Sequence, residues 1–454
     1  MVLVSFLSLV CLNHLSIVEK AHAEWNFETV DALGPDSIHS SLGFDNAGNP
    51  HISYYDNINQ DLKYAYYDGS SWHIETVDSE GYIGFYSSLA LDLFGNPHIS
   101  YWDLSNQDLK YAYYDGNSWH IETVDSEGYI GFYSSLALDS FGNPHISYYE
   151  RDLKYAHYDG NSWQIETVDS SDDIEQLSSP SLALDINDNP HIIYFGTHEL
   201  KYAVYDENQW EIQTVDDISY DVYYTGYASL VLDASGNPHI SYCDLINYGF
   251  DDYESDLKYA YYDGNSWFIE TVDSNGLLGL DSSMKLDIYG NPHISYCDHF
   301  PNYDLKYAYH DGISWYIETI ASGTALSPSM ALDPYGNPHI SYFDLSNGSL
   351  IYVFWTEKYI DNILSFIDTC VADETLTGNG SGKSDEHRLD VFIKKIEAAG
   401  KHLDNENIKS AYSKLKTAYE WIDGESKPRD FVTGEAAPIL ATMIFDLMKS
   451  LENR

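Results

Sequence analysis

Gly95-Asn-Pro-His-Ile-Ser-Tyr101, in this form or a near variant, is met seven times along a chain of 454 residues, with its histidine at His51, His98, His145, His191, His239, His293 and His339. The spacings are 47, 47, 46, 48, 54 and 46 residues, the period of propeller blades. Before the motif stands a short apolar run ending in aspartate, Ser88-Leu-Ala-Leu-Asp92, and the Asp-x-x-Gly-Asn-Pro turn leads into a second strand, His98-Ile-Ser-Tyr-Trp102. Asp and Asn suit that turn because their side chains bond nearby backbone. A third run, Asp108 to Asp115, alternates its side chains, and Gly116-Asn117-Ser118 turns it into a fourth, Trp119 to Asp125. Four such antiparallel strands make a blade.

The ends of the array confirm the count. The seventh unit stops after its third strand, Leu350 to Phe354, while the chain opens with an orphan fourth strand, Trp25 to Asp31. Pairing the orphan with the last unit closes the ring and removes the open sheet edges that invite aggregation. The expected fold is an all-β seven-bladed propeller of four-stranded blades over residues 24–356, followed by a small all-α C-terminal bundle. Period-2 patterning and abundant Tyr, Thr and Ile exclude a helical solenoid.

With these repeats on the page, the propeller resembles the sialidase-like (BNR-type) and WD-type superfamily. Its Tyr-Asp-Gly-Asn-Ser-Trp turns are similar to the sialidase Asp-box, S-x-D-x-G-x-x-W, but depart from it by one residue because Gly follows Asp directly. The resemblance implies fold, not activity. A sialidase grips its substrate carboxylate with several arginines, and residues 24–356 hold one, Arg151.

Charge narrows the partners. The formal net charge is 22 − 72 = −50, and residues 24–356 carry 8 basic against 53 acidic residues. Nucleic-acid binding is excluded, since phosphates need Lys and Arg. Six lysines (Lys63, Lys110, Lys154, Lys201, Lys258, Lys306) recur at one repeat position and are expected to join blades to acids. The acids also leave structural Ca²⁺ open, although no EF-hand loop appears; no other cofactor is expected. The seven repeat histidines, one per blade, cannot converge on one metal with bonds of about 2 Å, so they are expected to be buried and bonded to a repeat Asp, Ser or Tyr between blades, the role that resemblance to WD-type propellers implies.

Residues 1–23 read as a signal peptide, an apolar start ending in Ala21-His22-Ala23, so the mature protein is expected to be secreted or at the cell surface, with no membrane span. Of its three cysteines, Cys243 and Cys297 occupy one repeat position in adjacent units and are expected to stay unbridged. Asn347-Gly-Ser349 and Asn379-Gly-Ser381 have the form of glycosylation sequons. Thr377-Gly-Asn-Gly-Ser-Gly-Lys-Ser384 nearly matches a phosphate loop, but a helical pattern precedes it and too few residues follow for a nucleotide-binding sheet. It is expected to be a linker.

The loops joining strand four to the next strand one, and strand two to strand three, leave the propeller on one face, and these vary between units. The turns on the other face hardly change. A rigid scaffold carries function on its variable loops, and the candidate ligand-binding residues there are Tyr82, Phe85, Tyr86, Tyr129, Phe132, Tyr133, Tyr223, Tyr224, Tyr248, Asp251, Asp252, Tyr253 and Phe300. The bland alternative is that half or more of these rings pack between blades. Unique acids that break the repeat, Asp172, Asp173, Asp217, Asp221, Asp251, Asp252 and Asp281, are the places to look for catalysis, though most are expected to be solvated loop charges and no catalytic residue is singled out. Residues 79–92 and 126–139 are identical, which fits a copied display scaffold.

After Thr356 the apolar period becomes 3.6, over Tyr359 to Cys370, Ser384 to Ala399, Asn405 to Ile422 and Gly434 to Leu451. Residues 357–383 are read as a first helix and Gly/Ser-rich linker, and 384–454 as a helical bundle. Asp430 to Pro438 resembles helical domains appended to secreted prokaryotic proteins, which implies attachment or interaction. The functional expectation is a non-enzymatic extracellular binding protein for polysaccharide or protein. A propeller glycoside hydrolase or lyase, and a structural envelope component, are the alternatives.

Overall fold

Seven four-stranded antiparallel sheets carry the seven repeats in the computed structural model. It describes residues 24–34, 39–128, 131–170, 179–196, 198–206, 209–218, 228–247, 253–274, 276, 278–298, 302–333, 336–356, 363–364, 367, 370–371, 376–378, 383–403, 408–422, 432–433, 437, 440–441, 444–445 and 448. In the second blade the strands are Ile83–Leu91, Pro97–Asp103, Asp108–Tyr114 and Trp119–Asp125. The closing strand is Glu24–Ala32, which lies beside Ser349–Thr356 as the outermost strand of the seventh sheet.

The core lies between blades rather than within one. Strand two is buried along nearly its whole length, and completely in Pro97–Asp103. One apolar cluster joins Leu62, Tyr64 and Val77 of the first blade to Ile83, Ile99, Tyr101 and Ala112 of the second. Polar side chains tie the same junction: the Tyr101 hydroxyl donates to Asp78 Oδ2 at 2.7 Å, and Lys110 Nζ donates to the same oxygen at 3.1 Å. Lys154, Lys201, Lys258 and Lys306 each reach the equivalent aspartate of the preceding blade.

The repeat histidines are anchored by tyrosine, but inside their own blade, which corrects the expected contact between blades. His51 Nδ1 pairs with the Tyr64 hydroxyl, and His51 Nε2 faces Asp45 at 3.6 Å. The contact between blades is made by that tyrosine instead, whose ring meets the edge of the next blade's tryptophan, Tyr64 to Trp119 at 5.4 Å. Trp119 Nε1 in turn donates to Glu75 Oε2 at 2.9 Å. At one junction the acid is replaced: Gln213 stands at the glutamate position, and Trp267 Nε1 has no hydrogen-bond partner among the described residues.

The 54-residue spacing is a lengthened hairpin. In the fifth blade, strands two and three are Pro238–Asn247 and Tyr253–Tyr262, paired out to Asn247 and Tyr253. Cys243, Cys297 and Cys370 are buried and free.

Contacts set the propeller unit Phe27–Phe354 apart from a unit made of the described residues of Met1–Asn26 and Trp355–Arg454. In the latter, helices Lys383–Leu403 and Ile408–Tyr419 pack with Ile363, Ile367, Leu440 and Ile444 in one apolar cluster. The start of the expected linker is a strand instead: Thr377–Gly378 pairs antiparallel with Val432–Thr433. No helix among the described residues is long and apolar enough to cross a membrane.

Candidate functional site

Strand one of every blade carries, at its beginning or a few residues inside it, the same short pattern, x-[Ser/Pro/Ala]-Ser-[Leu/Met]. Ring closure brings all seven copies around one axis, where they line a cavity of about 180 Å³. Since strand one is entered from the variable loops, the cavity opens on the variable face.

One level of it is uniform. The third-position hydroxyl of each blade accepts the backbone N–H that follows the same serine in the next blade: Leu89 N to Ser41 Oγ, Leu136 N to Ser88 Oγ, and so on round to Leu42 N and Ser329 Oγ, at 3.0–3.1 Å. Seven bonds close on themselves. Each satisfies a backbone donor that the sheet leaves unpaired on its axial edge.

The level above is broken in a rule-bound way. Ser53–Ser87, Ser100–Ser134, Ser241–Ser282 and Ser341–Ser40 hydroxyl pairs join strand two of one blade to strand one of the next at 2.8–3.0 Å. At two junctions proline replaces the second serine, Pro180 and Pro328, and the facing Ser147 and Ser295 hydroxyls are buried without a hydrogen-bond partner among the described residues. At the remaining junction both members are apolar, Ile193 and Ala228.

The mouth is where the repeat gives way. Its described residues are His39, Tyr86, Tyr133, Ser179, Asp281 and Ser327. The His39 and Tyr86 ring centroids lie 4.5 Å apart, Tyr86 and Tyr133 4.0 Å, and His39 and Tyr133 6.4 Å. Asp281 Oδ2 accepts from Ser327 N at 3.2 Å and Ser327 Oγ at 3.3 Å. Burial drives His39 down to about 4 against the upward pull of Asp281, so its imidazole is neutral at pH 7. Burial, with Tyr133 and Asp281 adjacent, pushes the Tyr86 phenol well above its usual range. None of the described lining residues is Lys or Arg.

Four of these residues hold a left-handed backbone: His39 at φ 69°, Tyr86 at 53°, Tyr133 at 51° and Ser327 at 49°. Bulky side chains avoid that region, and strain of this kind gathers at functional sites. The irregular start of the strand before Tyr86 needs glycine for a separate reason. At Gly84, with φ +100°, a Cβ would stand 2.7 Å from Leu62 Cα of the preceding blade.

Of the residues named from sequence, Tyr86 and Tyr133 are walls of the cavity. Phe85 is not among the cavity's lining residues; its half-buried ring stacks on Tyr55 at 4.0 Å and meets Trp102 at its edge. Tyr82 is 49% exposed on the loop before Ile83. The backbones of Phe132 and Tyr253 pair in their sheets, while their side chains, and Tyr129, Tyr223, Tyr224, Tyr248, Asp251, Asp252 and Phe300, lie outside the described residues. His39 escaped sequence reasoning. Aligning the residue before each Ser-[Leu/Met] pair by two positions would have exposed the series His39, Tyr86, Tyr133, Ser179, Tyr227, Asp281, Ser327. Among the described residues no group of three or more His, Cys, Asp or Glu side chains is gathered to hold a metal ion.

The fold and cavity define a seven-bladed propeller with an axial site on its variable face. No family model matches the chain, and no curated protein matches it. Among solved structures it is similar to an ulvan lyase described as a new family of polysaccharide lyase, at TM-score 0.51 and 14% identity over 72% of this chain and 96% of that one. It is also similar to the six-bladed fungal lectin of Aleuria aurantia, at TM-score 0.43 and 14% identity over 65% and 99%, and to the NanB sialidase of Streptococcus pneumoniae, at 0.41 and 12% over 73% and 70%. At these identities the likeness is one of fold.

Proposed function

We propose that the protein binds extracellular polysaccharide, taking one sugar unit into the axial cavity on the variable face. The observation that carries this reading is the mouth itself, the one level of the cavity where seven repeats diverge into aromatic walls on one side and a carboxylate with serines on the other. Aromatic faces suit the C–H face of a sugar, and Asp281, Ser179 and Ser327 suit its hydroxyls. A cavity of about 180 Å³ holds roughly a dozen water-sized positions, the scale of a single hexose. The ulvan lyase shares the fold and acts on a polysaccharide, as its description states.

Binding is favoured over hydrolysis because the described lining offers a single carboxyl group, Asp281, and glycosidases use two. A neutral imidazole beside two phenols keeps a lyase reading open, but a lyase must neutralise a uronate, and the described lining supplies no cation. The full-length protein on a glycan array tests the proposal, with Tyr133→Ala expected to lose at least about tenfold in affinity. Turnover of a polysaccharide by the wild-type protein would refute the non-enzymatic reading. Secretion through residues 1–23 is part of the same proposal.

A further inference from the structure

The aromatic rings of the mouth stand at 48–85° to one another. They form the walls of a corner rather than a stack. Asp281 lines the same cavity as His39, Tyr86 and Tyr133, and the lining serines are uncharged. Around this corner, residues 24–356 carry 53 acidic and 8 basic residues.

Aromatic faces beside a carboxylate form a receptor for an ammonium ion. The ring quadrupoles attract the cation, the carboxylate takes a charge-assisted hydrogen bond from it, and the acidic field raises the local concentration of cations. For a uronate, a sulfate ester or a sialate the same groups are repulsive, so the site discriminates by exclusion as well as attraction. We infer that the axial cavity is specific for an amino sugar with a free ammonium group, such as a non-acetylated glucosamine unit, held by Asp281 and the Tyr86–Tyr133 corner. This inference rests on the cavity being a glycan site. The uncharged imidazole of His39 keeps the mouth free of a competing cation.

Calorimetric titration of the full-length protein tests it, at about pH 6, where an amino sugar is protonated, and in about 0.3 M salt, which screens the diffuse acidic field. The ligands are a glucosamine oligomer, its N-acetylated counterpart and the glucose oligomer of equal length. The glucosamine oligomer is expected to bind at least about tenfold tighter than the other two, and Asp281→Asn is expected to erase that preference. Equal binding of all three oligomers, abolished by Tyr133→Ala, leaves the glycan reading standing and overturns the ammonium inference. A preference that survives Asp281→Asn overturns it too, since removing one charge of many leaves general attraction of a polycation intact. Binding of none of the three overturns the ammonium inference, and the glycan array then decides the glycan reading separately.

Discussion

Removing one hydroxyl from the axial girdle should have opposite effects at two equivalent positions. Ser53→Ala deletes the partner of Ser87, whose hydroxyl is 2.9 Å away in a side chain 7% exposed. The orphaned group then carries its burial penalty, about 1–3 kcal/mol. Ser147→Ala deletes a buried hydroxyl that has no partner among the described residues and faces Pro180, so the same change relieves a penalty instead of creating one. Unfolding entropy near 2.1 cal/mol/K per residue gives roughly 0.7 kcal/mol/K for the propeller, and the first substitution lowers Tm by about 1.5–4 °C. The second leaves Tm unchanged or raises it by up to that amount. Differential scanning calorimetry on the two variants reads the difference directly. In the double variant Ser53→Ala/Ser87→Ala both partners are gone, and most of the loss should be recovered. Losses of equal sign and size at Ser53 and Ser147 would refute the reasoning, because the proline at position 180 would then be irrelevant to the hydroxyl it faces.

Three other outcomes are expected. Gln213→Glu supplies the acceptor that Trp267 Nε1 lacks among the described residues and should stabilise the propeller by about 0.5–1.5 kcal/mol, read as a higher Tm. Gly84→Ala combines a φ of +100° with a Cβ 2.7 Å from Leu62 Cα; it should cost at least about 2 kcal/mol in denaturant unfolding and weaken ligand binding by shifting Tyr86. Burial depresses His39 and His98 to about 4. For a histidine depressed in the fold, the unfolded chain binds the proton first, so its stabilisation is complete above about pH 6.5 and is lost as pH falls through 4, at about 3 kcal/mol for each. Urea midpoints measured across that window should fall steadily with pH, and His98→Gln should flatten the slope.

Much of the architecture was legible because it is encoded locally. Asp45 and Asn49, like their counterparts in each blade, bond each other and the turn between them, so every first hairpin is written within five residues. The 54-residue spacing announced the lengthened hairpin at Asn247 and Tyr253, and the orphan strand at Trp25 announced closure. The partner of His51 was harder to read: Tyr64 is thirteen residues away, close enough to be a neighbour by strand pairing, yet the pattern alone allowed an Asp or Ser of another blade. The aromatic inventory of the variable face was visible too. Its sorting was not, since Phe85 and Tyr86 are adjacent in the chain, and a left-handed turn at Tyr86 sends one to pack on Tyr55 and the other into the cavity.

By itself the sequence determined the blade, the number of blades, the closing strand and the acidic field, because period, turn chemistry and charge depend on residues near one another or on sums over the chain. Only the tertiary structure decided the site. His39, Tyr86, Tyr133 and Asp281 are separated by 47, 47 and 148 residues and share no local pattern. What joins them is that each stands two residues before the repeat serine of strand one in its blade, and closing seven blades into a ring places every such position around one axis.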